Sequence, residues 1–126
     1  MKLEKVVGIG GLFFRSRNPD ELRQWYAEHL GVTHYPNFWQ QQAGPTVFEP
    51  FARDTVKFGR MNQQWMINFR VADLDTMIKQ LEAADISVET REEWDSEAGR
   101  FARIHDPDGN PIQLWQPAAV VGVSQK

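Results

Sequence analysis

Three short stretches put an arginine in matching company: Phe13-Phe14-Arg15, Asn68-Phe69-Arg70 and Phe101-Ala102-Arg103. Residues two apart on a strand share a face, so each triplet turns its arginine the same way as an aromatic ring or an amide. The same parity adds Phe48, Met66, His105, Gln113 and Trp115, and it leaves apolar residues or alanine at 12, 14, 67, 69, 71, 102, 104, 112 and 114. One face is thus aliphatic and suited to a covering helix. The other is aromatic and cationic, the composition of a small-molecule pocket with a few orienting polar groups. A guanidinium fork grips a carboxylate or phosphate through paired N–H groups. Two readings of Arg15, Arg70 and Arg103 stay open: they brace the sheet against loop carboxylates such as Glu49, Asp54 or Glu97, or they await an anionic ligand.

Catalytic candidates are few. The chain has no cysteine, and no Ser-His-acid arrangement is visible in its spacing. A cofactorless proton transfer would use Glu49 or His105 as the base and an arginine to stabilise the oxyanion. His29 falls on a helix and His34 just beyond it, where surface or helix-end roles are the simpler reading.

The positioning elements centre on residues 99–117, GRFARIHDPDGNPIQLWQP. Asp106-Pro107-Asp108-Gly109-Asn110 concentrates turn chemistry between two alternating runs, which predicts a β-hairpin. Towards the N-terminus, residues 6–15 read as a strand. Asn18-Pro19-Asp20-Glu21 opens a helix with an N-cap, proline at the first position and a capping-box glutamate. Leu22, Trp25, Tyr26 and Leu30 recur at helical spacing, and Gly31 fits the C′ position. Short strands are expected near 32–36, 38–41, 46–50 and 54–58, with Pro36, Pro45 and Pro50 blurring their limits, and 59–64 as a connector. Residues 65–71 read as a strand, and Asp73 caps a helix carrying Leu74, Met77, Ile78 and Leu81. A strand over 87–90, an acidic loop over 92–98 and the hairpin follow, with a frayed tail from Ala118.

At 126 residues the chain has single-domain length, and its net charge of −3 argues against nucleic acid as a partner, since phosphate binding calls for a basic stripe. Its opening residues have no long apolar run, and no later run could span a bilayer, so a cytoplasmic soluble protein is the expectation. Trp39 and Trp65, on poorly patterned segments, suit an interface, a pocket lid or ordinary core packing.

An internal repeat organises the whole. Phe14-Arg15, a capped helix and Gly31-Val32 correspond to Phe69-Arg70, a capped helix and Asp85-Ile86. Residues 44–48 then overlie 109–113. Each half reads as strand, helix and three strands, with a helix covering one face of each half-sheet.

On FFRSRNPDELRQWYAEHLGV, FRVADLDTMIKQLEAADISV and above all GRFARIHDPDGNPIQLWQP, the chain resembles the vicinal oxygen chelate superfamily, which includes glyoxalases, bleomycin-resistance proteins and extradiol dioxygenases. The resemblance covers about residues 5–117. It implies an α+β fold of two tandem βαβββ modules, about 5–58 and 65–117, forming a curved mixed sheet with helices on the outer face of a single domain. It also implies a homodimer with clefts near the interface. Metal-dependent members place His and Glu ligands at four inward positions, which here fall on Gly11, Phe48, Met66 and Gln113. None is a histidine or carboxylate, as Zn²⁺, Ni²⁺ or Fe²⁺ sites require. A one-residue slip would bring in Glu49, and Glu49 with Gln113 is still too few. The expectation is a metal-free, cofactorless protein that binds an aromatic or anionic small molecule through Phe13, Arg15, Phe48, Asn68, Arg70, Phe101, Arg103, His105, Gln113 and Trp115. The alternatives are a lyase, isomerase or dioxygenase of the same superfamily with an atypical or metal-dependent site, and a module that uses its sheet for partner contact.

Overall fold

The computed structural model describes residues 3–34 and 36–119. Its elements are α1 (Pro19–Leu30), β1 (Ile67–Arg70), α2 (Leu74–Ala83), a 3₁₀ turn at Glu92–Trp94, β2 (Gly99–His105) and β3 (Pro111–Pro117). The three strands form one mixed sheet in the order β1-β3-β2. β3 runs parallel to β1 and antiparallel to β2.

The expected hairpin forms the centre of the molecule. Gly99 pairs with Pro117 and His105 with Pro111, so the register holds across all seven positions of β2. At the turn, Gly109 has φ +83°, and its N–H donates to the Asp106 carbonyl at 2.8 Å. The Asp106 side chain does more than favour a turn. It accepts from the backbone N–H groups of Asp108 at 2.9 Å and Asn110 at 3.0 Å, from Asn110 Nδ2 at 2.8 Å, and from the Tyr26 hydroxyl at 2.7 Å. One buried carboxylate therefore ties the turn to α1.

Both helices start as their sequences require. The Asn18 side chain accepts from Glu21 N–H at 3.2 Å, and Asp73 accepts from Thr76 N–H at 3.1 Å. That N–H, with the Thr76 hydroxyl after it, holds the Asp73 carboxyl below its ordinary range. Gly31, at φ +72°, closes α1 in the left-handed region.

The core lies between the helices and one sheet face. Leu22 and Tyr26 of α1 and Leu74 and Leu81 of α2 pack with Ala102, Ile104, Ile112 and Leu114. The four sheet residues are all fully buried, as their parity predicts. The expectation of one helix per half-sheet is revised, because α1 and α2 both contribute to the core on one face of the second half's sheet. The reason is chemical. Tyr26 brings a hydroxyl to Asp106 and an aromatic ring to Phe69, 6.3 Å away between centroids.

The first half differs most from expectation. Among the described residues, 6–15, 32–34, 36, 38–41, 46–50 and 54–58 form no strand; Tyr35 lies outside the described residues. Pro36, Pro45 and Pro50 remove ladder donors. The 87–90 strand is reduced to one bridge on the outer edge of β2, where Glu89 and Arg103 exchange backbone hydrogen bonds of 2.8 and 2.9 Å. No helix among the described residues is long and apolar enough to cross a membrane.

Candidate functional site

The sheet face opposite the helices carries two cross-strand rows. Asn68 pairs with Gln113 and Gln113 with Arg103; Arg70 pairs with Trp115 and Trp115 with Phe101. Strand neighbours on one face stand within side-chain reach, so six of the residues expected to line the pocket come together.

In the first row, Asn68 Nδ2 donates to Gln113 Oε1 at 2.7 Å. That bond leaves the Asn68 carbonyl as an acceptor and the Gln113 amide N–H groups as donors for a ligand. Arg103 stands beside them with its guanidinium 5.6 Å from the centre of the Trp94 ring. Arg91 approaches the same ring at 5.5 Å. Glu89, whose backbone bridges that of Arg103, is already taken by Arg91 at 2.7 Å, and with Glu93 it raises the Arg91 pKa above its ordinary value. The buried Arg103 Nε has no hydrogen-bond partner.

In the second row, the Phe101 and Trp115 rings lie parallel, 6.1 Å apart between centroids with 2° between planes. The Trp115 indole N–H donates to the Ala98 carbonyl at 3.0 Å. Trp115 is only 4% exposed, so it supports Phe101, and the half-buried Phe101 ring presents the surface. Arg70 donates to the Gln42 carbonyl at 3.0 Å. Gly44 lies against the same guanidinium, so closely that a side chain there would collide with it. Among the described residues, Arg15, Arg70 and Arg103 make no ion pair with a carboxylate. Bracing of these arginines by Glu49, Asp54 or Glu97 is therefore not what the structure contains.

The remaining expected residues are elsewhere. Phe13 and Phe48 are 93% and 87% exposed, and Arg15 and Glu49 are also exposed outside any strand. A side chain joins a wall only when its backbone joins the sheet, and those segments have not. His105 ends β2 opposite Pro111 and is exposed. Trp94, Gln42 and Gly44 were missed, because loop residues carry no periodicity. The one available signal was a tryptophan within an otherwise acidic run.

The four positions where relatives hold a divalent ion offer poor donors. Gly11 has no side chain, Phe48 and Met66 supply no hard donor, and the Gln113 oxygen accepts from Asn68. No group of three or more His, Cys, Asp or Glu residues among the described residues could hold a metal. The residues at these four positions do not fit a divalent ion.

A mixed sheet with both helices on one face and an aromatic, arginine-bearing face opposite defines the class: a small α+β domain with one sheet face left open. The chain belongs to the glyoxalase-like domain family, whose model matches residues 11–115, and with it to the vicinal oxygen chelate superfamily. Among solved structures it is similar to TnmS3, an antibiotic-binding protein from Streptomyces sp. CB03234. The TM-score is 0.58 and the identity 21%, over 91% of this chain and 100% of that one. It is also similar to the trypanothione-dependent glyoxalase I of Leishmania major, with a TM-score of 0.46 and 16% identity over 79% of this chain and 78% of that one. No curated protein matches the sequence.

Proposed function

We propose that this protein binds a planar aromatic small molecule bearing an anionic or acceptor group, without a metal, on the open face of its sheet. The observation that carries this reading is the pair of rows described above. Phe101 offers a ring for stacking. Arg103 and Arg70 offer guanidinium groups without carboxylate partners, and Asn68 with Gln113 offers neutral polar groups that fix orientation. The antibiotic-binding activity of TnmS3 supports a bound ligand rather than a turnover chemistry. In this reading the two halves of the chain are tandem βαβββ modules of one domain, and the protein works as a homodimer.

The test is a thermal and tryptophan-fluorescence screen against aromatic carboxylates and aromatic antibiotics, followed by titration of the best binder. Binding to the native state alone raises the melting temperature by mass action. Loss of a charge-assisted hydrogen bond, at about 1.5–3 kcal/mol, corresponds to roughly a ten- to hundredfold weaker Kd. Arg103→Gln and Arg70→Gln should each show a loss of that order. A binder held equally well by wild type and both variants would refute the site. Scans with Ni²⁺, Zn²⁺, Mn²⁺ and Fe²⁺ should leave the melting temperature unchanged, and a stoichiometric metal would overturn the metal-free assignment.

A further inference from the structure

The two arginines that approach Trp94 have unequal company. Arg91, whose side chain is 53% exposed, has two carboxylates beside it, Glu89 at 2.7 Å and Glu93 at 3.9 Å. Arg103 is half-buried and its buried Nε has no partner. Among the described residues it makes no ion pair. Electrostatics alone favours the reverse, because water satisfies an exposed guanidinium, whereas a buried donor without an acceptor carries its full desolvation cost.

Position in the sheet does not explain the difference. Glu89 and Arg103 are direct cross-strand partners that exchange backbone hydrogen bonds in both directions. The side chains of such a pair leave the same face within reach of each other, and opposite charges there attract. Glu89 turns instead to Arg91, two residues along its own chain. Arg91 Nε and Nη2 both donate to Glu89 Oε2, at 2.9 and 2.7 Å. Both guanidiniums then stand by one indole, 5.5 and 5.6 Å from the centre of the Trp94 ring. That attraction acts through the π face and consumes no N–H, so Trp94 steadies Arg103 without satisfying it.

We propose that Arg91 is a positioning residue for the ligand face: by holding Glu89 it keeps the cross-strand carboxylate off Arg103 and leaves that guanidinium to an aromatic carboxylate ligand. Two carboxylates, one from Glu89 and one from the ligand, compete for a single cation, and Arg91 biases the competition. Arg91 thereby sets the preference for an anionic ligand over a neutral one of the same shape, without touching either. The inference rests on the proposed ligand face. One arm of its test contains no ligand, so the two can fail separately.

The variants are Arg91→Gln and the double variant Glu89→Gln with Arg91→Gln, both confined to exposed side chains outside the core cluster. Without ligand, the NMR signal of the Arg103 Nε–H, assigned by its loss in Arg103→Gln, should move downfield in Arg91→Gln as Glu89 pairs with it. It should return in the double variant. With 1-naphthoate as the probe, read by tryptophan fluorescence, Arg91→Gln should weaken Kd about tenfold, the effect of leaving about a tenth of the molecules competent to bind. The double variant should return to within about twofold of wild type, and neutral 1-naphthamide should bind all three chains alike. An Arg103 signal that stays in place in Arg91→Gln overturns the proposal. Equal weakening in the single and double variants also overturns it, since a distorted turn gives that result. Should Arg91→Gln not fold, Arg91→Lys keeps the charge, loses the fork and should move the signal the same way. If the signal moves and returns while no chain binds 1-naphthoate, the competition for Arg103 stands and the ligand face falls.

Discussion

At the residue scale, the chain relies on polar groups whose partners are fully specified. Asp106 is buried and takes four hydrogen bonds, one from Tyr26 across 80 residues of sequence. Burial, followed by the bond to Asp106, raises the Tyr26 pKa well above its ordinary value near 10. The folded state therefore holds the phenolic proton more tightly than the unfolded state does. The resulting stability is fully present below pH of about 10 and drains away as the pH rises further. Tyr26→Phe should cost about 1–3 kcal/mol in urea unfolding, since a buried carboxylate loses one donor, and the variant should lose this part of the alkaline decline. An unchanged midpoint would show that the bond contributes nothing. Gly44 makes a different residue-scale prediction. Gly44→Ala meets the flexible end of Arg70 rather than backbone, so stability should change by less than about 0.5 kcal/mol. Ligand affinity should fall because the guanidinium is pushed from its place beside Gln42. Equal affinity in wild type and Gly44→Ala would remove Arg70 from the site.

At the scale of elements, the difference between what the sequence disclosed and what it hid has a physical basis. The hairpin was legible because its two strands lie close in sequence and the residues between them dictate the turn. Both helices were legible because Asn18, Asp73 and Gly31 mark their ends locally. The alternation in residues 6–15 was equally clear, yet no strand forms there. Alternation states which faces a strand would have, whereas a strand exists only when an edge accepts its backbone groups. The position of α1 was hidden for a related reason, since the Tyr26–Asp106 bond joins residues that no local pattern connects. Of the proposed ligand face, the second-half residues followed from parity, while Trp94 and Gln42 depend on how loops return. The same distinction between local and imposed geometry appears in the glycines. Gly59, at φ +89° with nothing within 4 Å, needs its backbone freedom alone, and Gly59→Ala should cost about 1 kcal/mol. Gly99, at φ +136°, faces the Gln116 carbonyl and Pro117 backbone of β3. Gly99→Ala adds a backbone clash to the strain, so the loss should exceed about 2 kcal/mol, measured by denaturant midpoint at unchanged slope. Equal costs at the two sites would mean that β3 yields freely at its end.

At the scale of the whole molecule, the two halves of the chain differ in how far their apolar surface is covered. The second half buries its aliphatic residues between two helices and three strands, with Leu74, Leu81, Ile104, Ile112 and Leu114 essentially excluded from water. The first half contributes α1 to that core and leaves Val6, Val7, Phe13 and Phe48 in solvent. Exposed apolar area on this scale drives association at roughly 25 cal/mol per Å² before the costs of ordering are subtracted. In the proposed homodimer, even a small fraction of that gain, retained as net binding energy, couples folding to association. An assembly that unfolds into separate chains has a melting temperature that rises with protein concentration, because mass action favours the associated native state. The melting temperature of the wild-type chain should therefore climb by several degrees across a hundredfold concentration range, with no such climb in a variant carrying Val7→Ser and Phe13→Ser. That variant should keep the helical signal of α1 and α2, since neither residue touches the core cluster. A wild-type melting temperature independent of concentration would mean that the first half finds cover within its own chain, and the homodimer of the proposed function would be overturned.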